Sequence, residues 1–350
     1  MPVSSLHILD FSFSNPYTLT LDPYGPFAVL YRLWFSRCGS VSEKDLSNYA
    51  NKRVLITGGT SGCGLECTKA FARAGAHVIV TARNREKGEV LREKIMKETE
   101  PLHITPKFDV LELEMGSEDS ITAFNARLQE YPSLDLVILN AGIYQTEFVV
   151  CENTGREQTL QVNLLSNCAT ALLAIQLLLR QPTQGRLLII SSEAHAWANP
   201  QQKSFTALME MLNQSDTYPC YARYHISKLL VILWMQELAR RIDPARVLIA
   251  SATPGFCRSG LFRSFNGKTI ANYLERLLCR TPDQGAWQYL TAIERMNTAV
   301  HGCFFADGRF RPSSAAATLA REEGLCDSMW DNVLKMLPEC AQHVAHDLSI

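Results

Sequence analysis

The sequence predicts an α/β protein built on a doubly wound parallel sheet with helices on both faces. Short runs of continuous apolar residues alternate along the chain with longer segments of helical periodicity. The apolar runs LVIL (136–139) and LLII (187–190) lack polar alternation, which is typical of strands that are buried on both faces. The right-handed crossovers between such strands then produce a doubly wound sheet.

Each predicted element follows from a local signal. The first strand runs into glycines, the first helix ends at Gly75, and Ser117 is the expected cap of a later helix. Pro106 weakens the third strand, because proline cannot donate to a strand ladder. The predicted strands are 53–57, 77–82, 103–110, 134–140, 186–191 and 246–255, and the predicted helices are 64–75, 84–100, 117–131, 156–180 and 224–242.

We predict one main domain at 51–310, with an N-terminal extension before it and a C-terminal helical tail at 311–350. The apolar stretch 23–35 in the extension is too short to span a bilayer and contains Arg32. Packing on the domain, covering of a pocket and peripheral contact with a membrane all stay open for residues 1–50.

Composition excludes several classes of function. The formal net charge is -1, so no basic surface for nucleic acid is expected. The 11 cysteines are odd in number and scattered, which indicates reduced thiols and neither a disulfide framework nor a metal site. The N-terminus shows no secretory pattern, so we expect a cytoplasmic protein. An oligomer stays open.

The loop TGGTSGCG (57–64) lies between the first strand and the first helix. Glycines at this place allow a tight turn and a close approach of backbone N–H groups to a pyrophosphate on the helix N-terminus. The sequence therefore predicts a Rossmann-type dinucleotide site. Its candidate contacts are Gly58, Ser61, Gly62, Cys63 and Gly64, where we expect the Cys63 thiol to be an apolar filler.

The second strand ends in VTARNR (80–85), without the acidic residue that would bind the ribose hydroxyl of NAD. Arg83 can pair with a 2'-phosphate instead, since a guanidinium forks onto phosphate oxygens. NADP(H) is therefore the expected cofactor; an Arg83 that is merely solvated would leave the choice open.

The segment YARYHISK (221–228) opens an apolar helix. Tyr224 and Lys228 are four residues apart and share a helix face, whereas Tyr221 is two turns from Lys228. A phenol needs nearby positive charge to exchange a proton at neutral pH, and we expect Lys228 to lower the pKa of Tyr224. By itself the pattern could also belong to an amphipathic helix with an exposed lysine.

In combination, these motifs resemble the short-chain dehydrogenase/reductase family over roughly residues 50–310. The glycine loop is followed in order by LNAG (139–142), a serine pair at 191–192 and Y-x-x-x-K. Later pieces such as TPDQGAWQYL (281–290) look like the retinol-dehydrogenase-like branch.

The resemblance implies a role for each matching residue. Tyr224 would exchange the proton, Lys228 would assist it and hold the nicotinamide ribose, and Ser192 would bind the substrate oxygen. Asn163 would complete the catalytic group through a water. The remaining implied cofactor contacts are Asp109 on the adenine side, Asn140 in the cleft and Ser259 near the carboxamide.

The resemblance implies an NADP(H)-dependent oxidoreductase that acts on a carbonyl or secondary alcohol of an apolar small molecule. A long segment near 193–220 separates Ser192 from Tyr224 and would help to shape the substrate pocket. A tailoring step in secondary metabolism is one expectation. A retinol- or steroid-type dehydrogenase and a non-catalytic dinucleotide-binding sensor are the alternatives.

Overall fold

The computed structural model describes residues 43–257 and 279–350, and Ser259 and most of the N-terminal extension lie outside them. In this part of the chain one sheet holds eight strands. The strands are β1 (Arg53–Thr57), β2 (His77–Ala82), β3 (Lys107–Glu112), β4 (Leu136–Leu139), β5 (Gly185–Ile190), β6 (Val247–Ala252), β7 (Phe304–Ala306) and β8 (Arg309–Arg311).

The strands lie in the order β3-β2-β1-β4-β5-β6-β7-β8. Every neighbouring pair from β3 to β7 is parallel, and only β8 pairs antiparallel, with β7. The predicted doubly wound parallel sheet is confirmed. The strand order reverses between β1 and β4, and the crevice at such a point is where sheets of this type bind ligands.

Helices connect the strands and cover both faces of the sheet. They are α1 (Gly62–Arg73), α2 (Arg85–Thr99), α3 (Glu118–Leu128), α4 (Gln158–Arg180), α5 (Phe205–Leu212), α6 (Cys220–Arg241), α7 (Pro282–Arg295), α8 (Ala315–Glu322), α9 (Met329–Lys335) and α10 (Glu339–Asp347). Short 3-10 helices occur at Glu43–Tyr49, Glu100–Leu102, Glu193–Trp197 and Thr298–Val300.

Successive strand residues enter two different cores. Leu55 and Val137 belong to the core on one face of the sheet, whereas Ile56 and Ile138 belong to the core on the other. This arrangement explains the unbroken apolar runs in the sequence, because both faces of these strands must exclude water.

The helix α4 is long and apolar enough by composition to cross a membrane, with a mean hydropathy of 1.7 over its most apolar window. However, 89% of that window is buried inside the fold, where α4 packs on the sheet and on α10. Core packing therefore accounts for its apolar character.

The C-terminal helices pack on the main domain. Trp330 of α9 stacks on Trp234 of α6 with ring centroids 5.5 Å apart, and Arg241 lies 4.2 Å from the centroid of the Trp330 ring. The domain boundary that we placed after residue 310 falls inside β8, so no break in the structure coincides with it.

Two element boundaries differ from the predicted ones in ways that affect the site. The strand β3 begins at Lys107, because Glu100–Leu102 forms a 3-10 turn and His103 is left-handed with φ 56°. The helix α6 begins at Cys220, four residues earlier than predicted, so Tyr221 lies in its first turn.

Candidate active site

The glycine loop joins β1 to α1 at the centre of the sheet. Gly58 and Gly62 have φ of +64° and +55°, a region that favours glycine. A side chain on Gly64 would place its Cβ 2.6 Å from the carbonyl oxygen of Gly58. Ser61 is the N-cap of α1 but makes no side-chain cap. The first N–H groups of α1 therefore stay available to an anion such as a pyrophosphate.

Asn140 holds this loop against the end of β4. Its Nδ2 donates to the carbonyl oxygens of Thr57 (3.0 Å) and Gly58 (3.3 Å), and its Oδ1 accepts from the Tyr289 hydroxyl at 3.4 Å. A Cβ on Gly64 would meet Nδ2 at 2.5 Å. Asn140 therefore joins the glycine loop to α7, and its role in the cofactor cleft stays a prediction.

The Cys63 thiol points away from the phosphate-binding surface. Its Sγ lies 3.4 Å from the Sγ of Cys257, and both side chains are buried. The hydrogen bond with Cys63 and burial raise the pKa of Cys257. Cys63 can therefore contact a cofactor through its backbone N–H, while its side chain fills space under α7.

Tyr224 and Lys228 lie together on α6 below the carboxyl end of β5. The Nζ of Lys228 is 5.8 Å from the Tyr224 ring centroid and donates to the Ile190 carbonyl oxygen at 3.2 Å. An ammonium group has three donors, so the described contacts of Lys228 leave donors for ribose hydroxyls. Burial lowers the pKa of Lys228 to about 8.

Burial also governs Tyr224. It raises the pKa of the phenol to about 12, against a smaller lowering by the hydrogen bond with Ser192. This direction is opposite to the one expected from Lys228, because the cost of burying a phenolate is the larger effect. Tyr224 is therefore a neutral hydrogen-bond donor at pH 7, which suits a group that gives up a proton.

The two serines after β5 have different partners. Ser191 donates its hydroxyl to the Lys228 carbonyl oxygen at 3.0 Å and is buried. The Ser192 hydroxyl accepts from the Ala194 N–H at 3.2 Å and lies near enough to Tyr224 to lower the pKa of its phenol. Only Ser192 therefore faces the reacting position, as the alternation along a strand predicts.

His195 fixes the turn that carries Ser192. Its Nδ1 lies 2.6 Å from the Ser192 carbonyl oxygen and must donate, because a carbonyl only accepts. Burial lowers the pKa of His195 to about 4, so the ring is neutral at pH 7. The only signal for this role in the sequence is the place of His195, three residues after Ser192.

Asn163 lies in a π-helical turn, Gln161–Leu165, inside α4. Turns of this kind are rare in proteins, and those that occur are often found at functional sites. Its Oδ1 accepts from the Ile143 N–H at 2.8 Å, and its Nδ2 donates to the Ile143 carbonyl oxygen at 2.9 Å and to Ser227 Oγ at 3.1 Å. A Cβ on Gly142 would lie 3.2 Å from Asn163 Oδ1 and 3.3 Å from Lys228 Nζ, so both atoms border one small space.

The position of Asp109 in β3 does not favour the adenine-side role that the resemblance implies, and that role stays a prediction. It is the third residue of β3, opposite Ile79, whereas the carboxyl end of β3 is Glu112. Its Oδ2 is 2.7 Å from both His77 Nε2 and the Tyr131 hydroxyl, and the His77 hydrogen bond is the main cause of its lowered pKa.

The predicted strand at 103–110 put Asp109 near the strand end, whereas β3 runs from Lys107 to Glu112. The acidic residue just past the true end of β3 is Glu114, whose carboxylate lies 4.0 Å from Arg83. Arg83 follows β2 directly, and its side chain is 78% exposed. Arg83 and Glu114 therefore share the edge where a dinucleotide would bind, beside the acidic Glu112 that ends β3.

The comparisons with known proteins agree with this geometry. A family model described as short chain dehydrogenase matches residues 52–207. The short chain dehydrogenase sol3 of Alternaria solani is 34% identical over 67% of this chain and 81% of its own. The chain belongs to the short-chain dehydrogenase/reductase family.

Further relatives and structures of this family extend the match. The short chain dehydrogenase opdN of Penicillium oxalicum is 31% identical over 76% of this chain and 90% of its own. A short chain dehydrogenase from Escherichia coli CFT073, solved with NADPH, is 22% identical, has a TM-score of 0.54 and covers 75% of this chain and 99% of its own. That likeness establishes the fold. The retinol-dehydrogenase-like branch stays a prediction.

We predict that Asp109→Asn leaves dinucleotide affinity within about 2-fold and lowers the free energy of unfolding by about 1 kcal/mol, because it weakens only the contacts with His77 and Tyr131. Fluorescence titration and urea unfolding at pH 7 measure the two quantities. Tyr131→Phe is the matched control, since it removes one of the same hydrogen bonds. A tenfold loss of affinity in Asp109→Asn at unchanged stability would restore the adenine-side role.

Proposed function

We propose that this short-chain dehydrogenase/reductase reduces a carbonyl group on an apolar small molecule with NADPH, or oxidises the matching secondary alcohol in the reverse direction. The observation that carries the proposal is the placement of Lys228, whose Nζ lies 5.8 Å from the ring centroid of the buried Tyr224 and borders the same small space as Asn163 Oδ1. Ser192 follows β5 beside this pair and lies near enough to Tyr224 to lower its pKa.

The side chains then have separate tasks. The Ser192 and Tyr224 hydroxyls would hold the substrate oxygen from two sides and stabilise the negative charge that develops on it. The cofactor, when bound, supplies the hydride to the carbonyl carbon. Tyr224 gives its proton to the oxygen, and the Lys228 ammonium stabilises the phenolate that results. Asn163 would bind a water that returns a proton through Lys228.

The preference for NADP(H) rests on the end of β2. Arg83 is exposed there and its nearest described carboxylate, on Glu114, is 4.0 Å away, which is too far for a tight ion pair. The guanidinium can therefore turn to a 2'-phosphate. A protein of the same fold, from Escherichia coli, was solved with NADPH.

We extend the proposal to a tailoring step in secondary metabolism, which the fungal short-chain dehydrogenases among the relatives support. A cytoplasmic location stays a prediction. A peripheral membrane contact of residues 1–50 and an oligomeric state stay predictions. A sensor that binds the dinucleotide without turnover is the second candidate. The sensor hypothesis is supported if the wild-type protein binds NADPH but consumes no NADPH with any compound in a panel of ketones and aldehydes.

We predict that kcat/KM for ketone reduction is flat between about pH 6 and 7.5 and falls above about pH 8. Below its pKa of about 8 Lys228 carries the charge that stabilises the Tyr224 phenolate, and above it that charge is lost. NADPH consumption at saturating cofactor gives the profile.

Lys228→Arg is the control for this profile, because an arginine keeps its charge throughout the range. The fall above pH 8 should disappear in that variant, whatever its overall activity. A fall that persists in Lys228→Arg, or a wild-type profile that is flat up to pH 9.5, contradicts the assignment.

We predict that Arg83→Ala weakens NADPH binding about 10-fold or more, because a charge-assisted contact with the 2'-phosphate is lost, and changes NADH binding by less than about 3-fold. Dissociation constants for both dinucleotides measure the difference. Arg85→Ala, two residues further on α2, is the matched control and should affect neither. Equal losses of affinity for NADPH and NADH in Arg83→Ala would contradict the assignment of Arg83 to the 2'-phosphate.

A further inference from the structure

Five rings surround Tyr224 in one continuous group, which we call the aromatic wall: Tyr144, Trp197, Tyr221, His225 and Phe256. Tyr144 and His225 contact the Tyr224 ring itself, with centroids 5.3 Å and 6.3 Å away. His225 then contacts both Tyr221 and Trp197 at 5.8 Å.

Four separate segments of the chain contribute to the wall. Tyr144 follows β4, Trp197 ends the 3-10 helix after β5, Phe256 follows β6, and Tyr221 and His225 belong to the first turns of α6. The carboxyl ends of β4, β5 and β6 meet at one edge of the sheet, so these segments converge where a substrate would enter.

The wall is not part of the buried core. Tyr144, Trp197, His225 and Phe256 are partly exposed, and the Tyr221 side chain is 43% exposed. Among the large hydrophobic residues that the described chain exposes, Tyr221 is the only aromatic one. Aromatic surface that stays in contact with water beside a reacting group indicates a binding surface.

Most ring pairs of the wall meet edge to face, and the Trp197 and Phe256 rings are tilted by 35°. The ring planes of Tyr144 and Tyr224 are inclined by 72°, those of Trp197 and His225 by 71° and those of Tyr221 and His225 by 63°. Such arrangements expose both ring edges and ring faces to a bound ligand. An aromatic ring of the ligand can therefore make edge-to-face or offset-stacked contacts with them. Burial keeps the His225 ring neutral at pH 7.

We propose that the substrate carries an aromatic or conjugated ring next to its carbonyl group, and that the aromatic wall binds this ring. The inference rests on the proposed function, which places the carbonyl oxygen between Ser192 and Tyr224. Since the Tyr144 and His225 rings contact Tyr224, the substituent next to that carbonyl lies against the wall. Each aromatic pair adds about 2- to 12-fold in affinity beyond what apolar area alone provides.

The test compares acetophenone with cyclohexyl methyl ketone, two ketones of similar size that differ in aromaticity. Dissociation constants are measured with saturating NADP+, so that no turnover occurs, and NADPH consumption is recorded separately. We expect the wild type to bind acetophenone about 10-fold more tightly. Equal affinities, or no binding of either ketone at millimolar concentration, overturns the proposal.

Two variants locate the preference. Trp197→Leu and Tyr221→Leu keep an apolar side chain and remove the ring, and each should reduce the preference for acetophenone about 3- to 10-fold while cyclohexyl methyl ketone binds as before. The exposed Tyr221 serves as the second site should Trp197→Leu unfold. Phe310→Leu, on the edge strand β8, is the control and should keep the preference. Equal losses for both ketones overturn the proposal.

The same measurements separate this inference from the proposed reaction. If the wild type prefers acetophenone, the two wall variants reduce that preference and neither ketone leads to NADPH consumption, the aromatic binding site is supported and the proposed reductase activity is contradicted. NADPH consumption with both ketones at equal efficiency supports the reductase and overturns the aromatic site.

Discussion

The parallel pairing of β1, β4, β5 and β6 is the constraint on which the active site depends. In this register Thr57 lies beside Leu139, Leu139 beside Ile189, and Ile189 beside Ser251, so four strands end at one edge. The glycine loop, Asn140, Ser192 and Phe256 all follow those ends. The strand pairing therefore brings together site residues that are far apart in sequence.

Burial sets the protonation behaviour of the two titratable side chains at this edge of the sheet. Lys228 is 5% exposed and Tyr224 is 9% exposed, and burial shifts the pKa of each toward its neutral form. The phenol keeps its proton until a substrate oxygen takes it, because transfer from a group with a pKa of about 12 to an amine with a pKa of about 8 is unfavourable. The carbonyl of Ile190 and the π-helical turn of Asn163 keep the pair in position, so the surrounding structure supports a charge that burial alone would disfavour.

The sequence predicted those parts of the fold and site that follow from local rules. Continuous apolar runs predicted β1, β4 and β5. The glycine loop and the pairing of Tyr224 with Lys228 could be recognised from short stretches of sequence, because each depends only on residue types and spacing within one segment. The bounds of β3 were predicted wrongly, because a strand boundary cannot be read where Pro106 follows an irregular turn. The roles of His195 and the aromatic wall depend on contacts between different segments, which no periodicity encodes. The pKa of Tyr224 was misjudged because burial is a property of the whole fold.

The most direct test of the account compares two single hydroxyl deletions in one helix turn, Tyr224→Phe and Tyr221→Phe, by single-turnover hydride transfer from bound NADPH to a ketone. Of the two tyrosines, Tyr224 lies beside Lys228 and has its pKa lowered by Ser192. The account predicts that Tyr224→Phe binds NADPH normally and transfers hydride about 100-fold more slowly or worse, since a positioned acid contributes at least that much. Tyr221→Phe keeps its ring and should stay within about 3-fold of the wild type. Comparable hydride transfer in the two variants would contradict the assignment of Tyr224 as the proton donor.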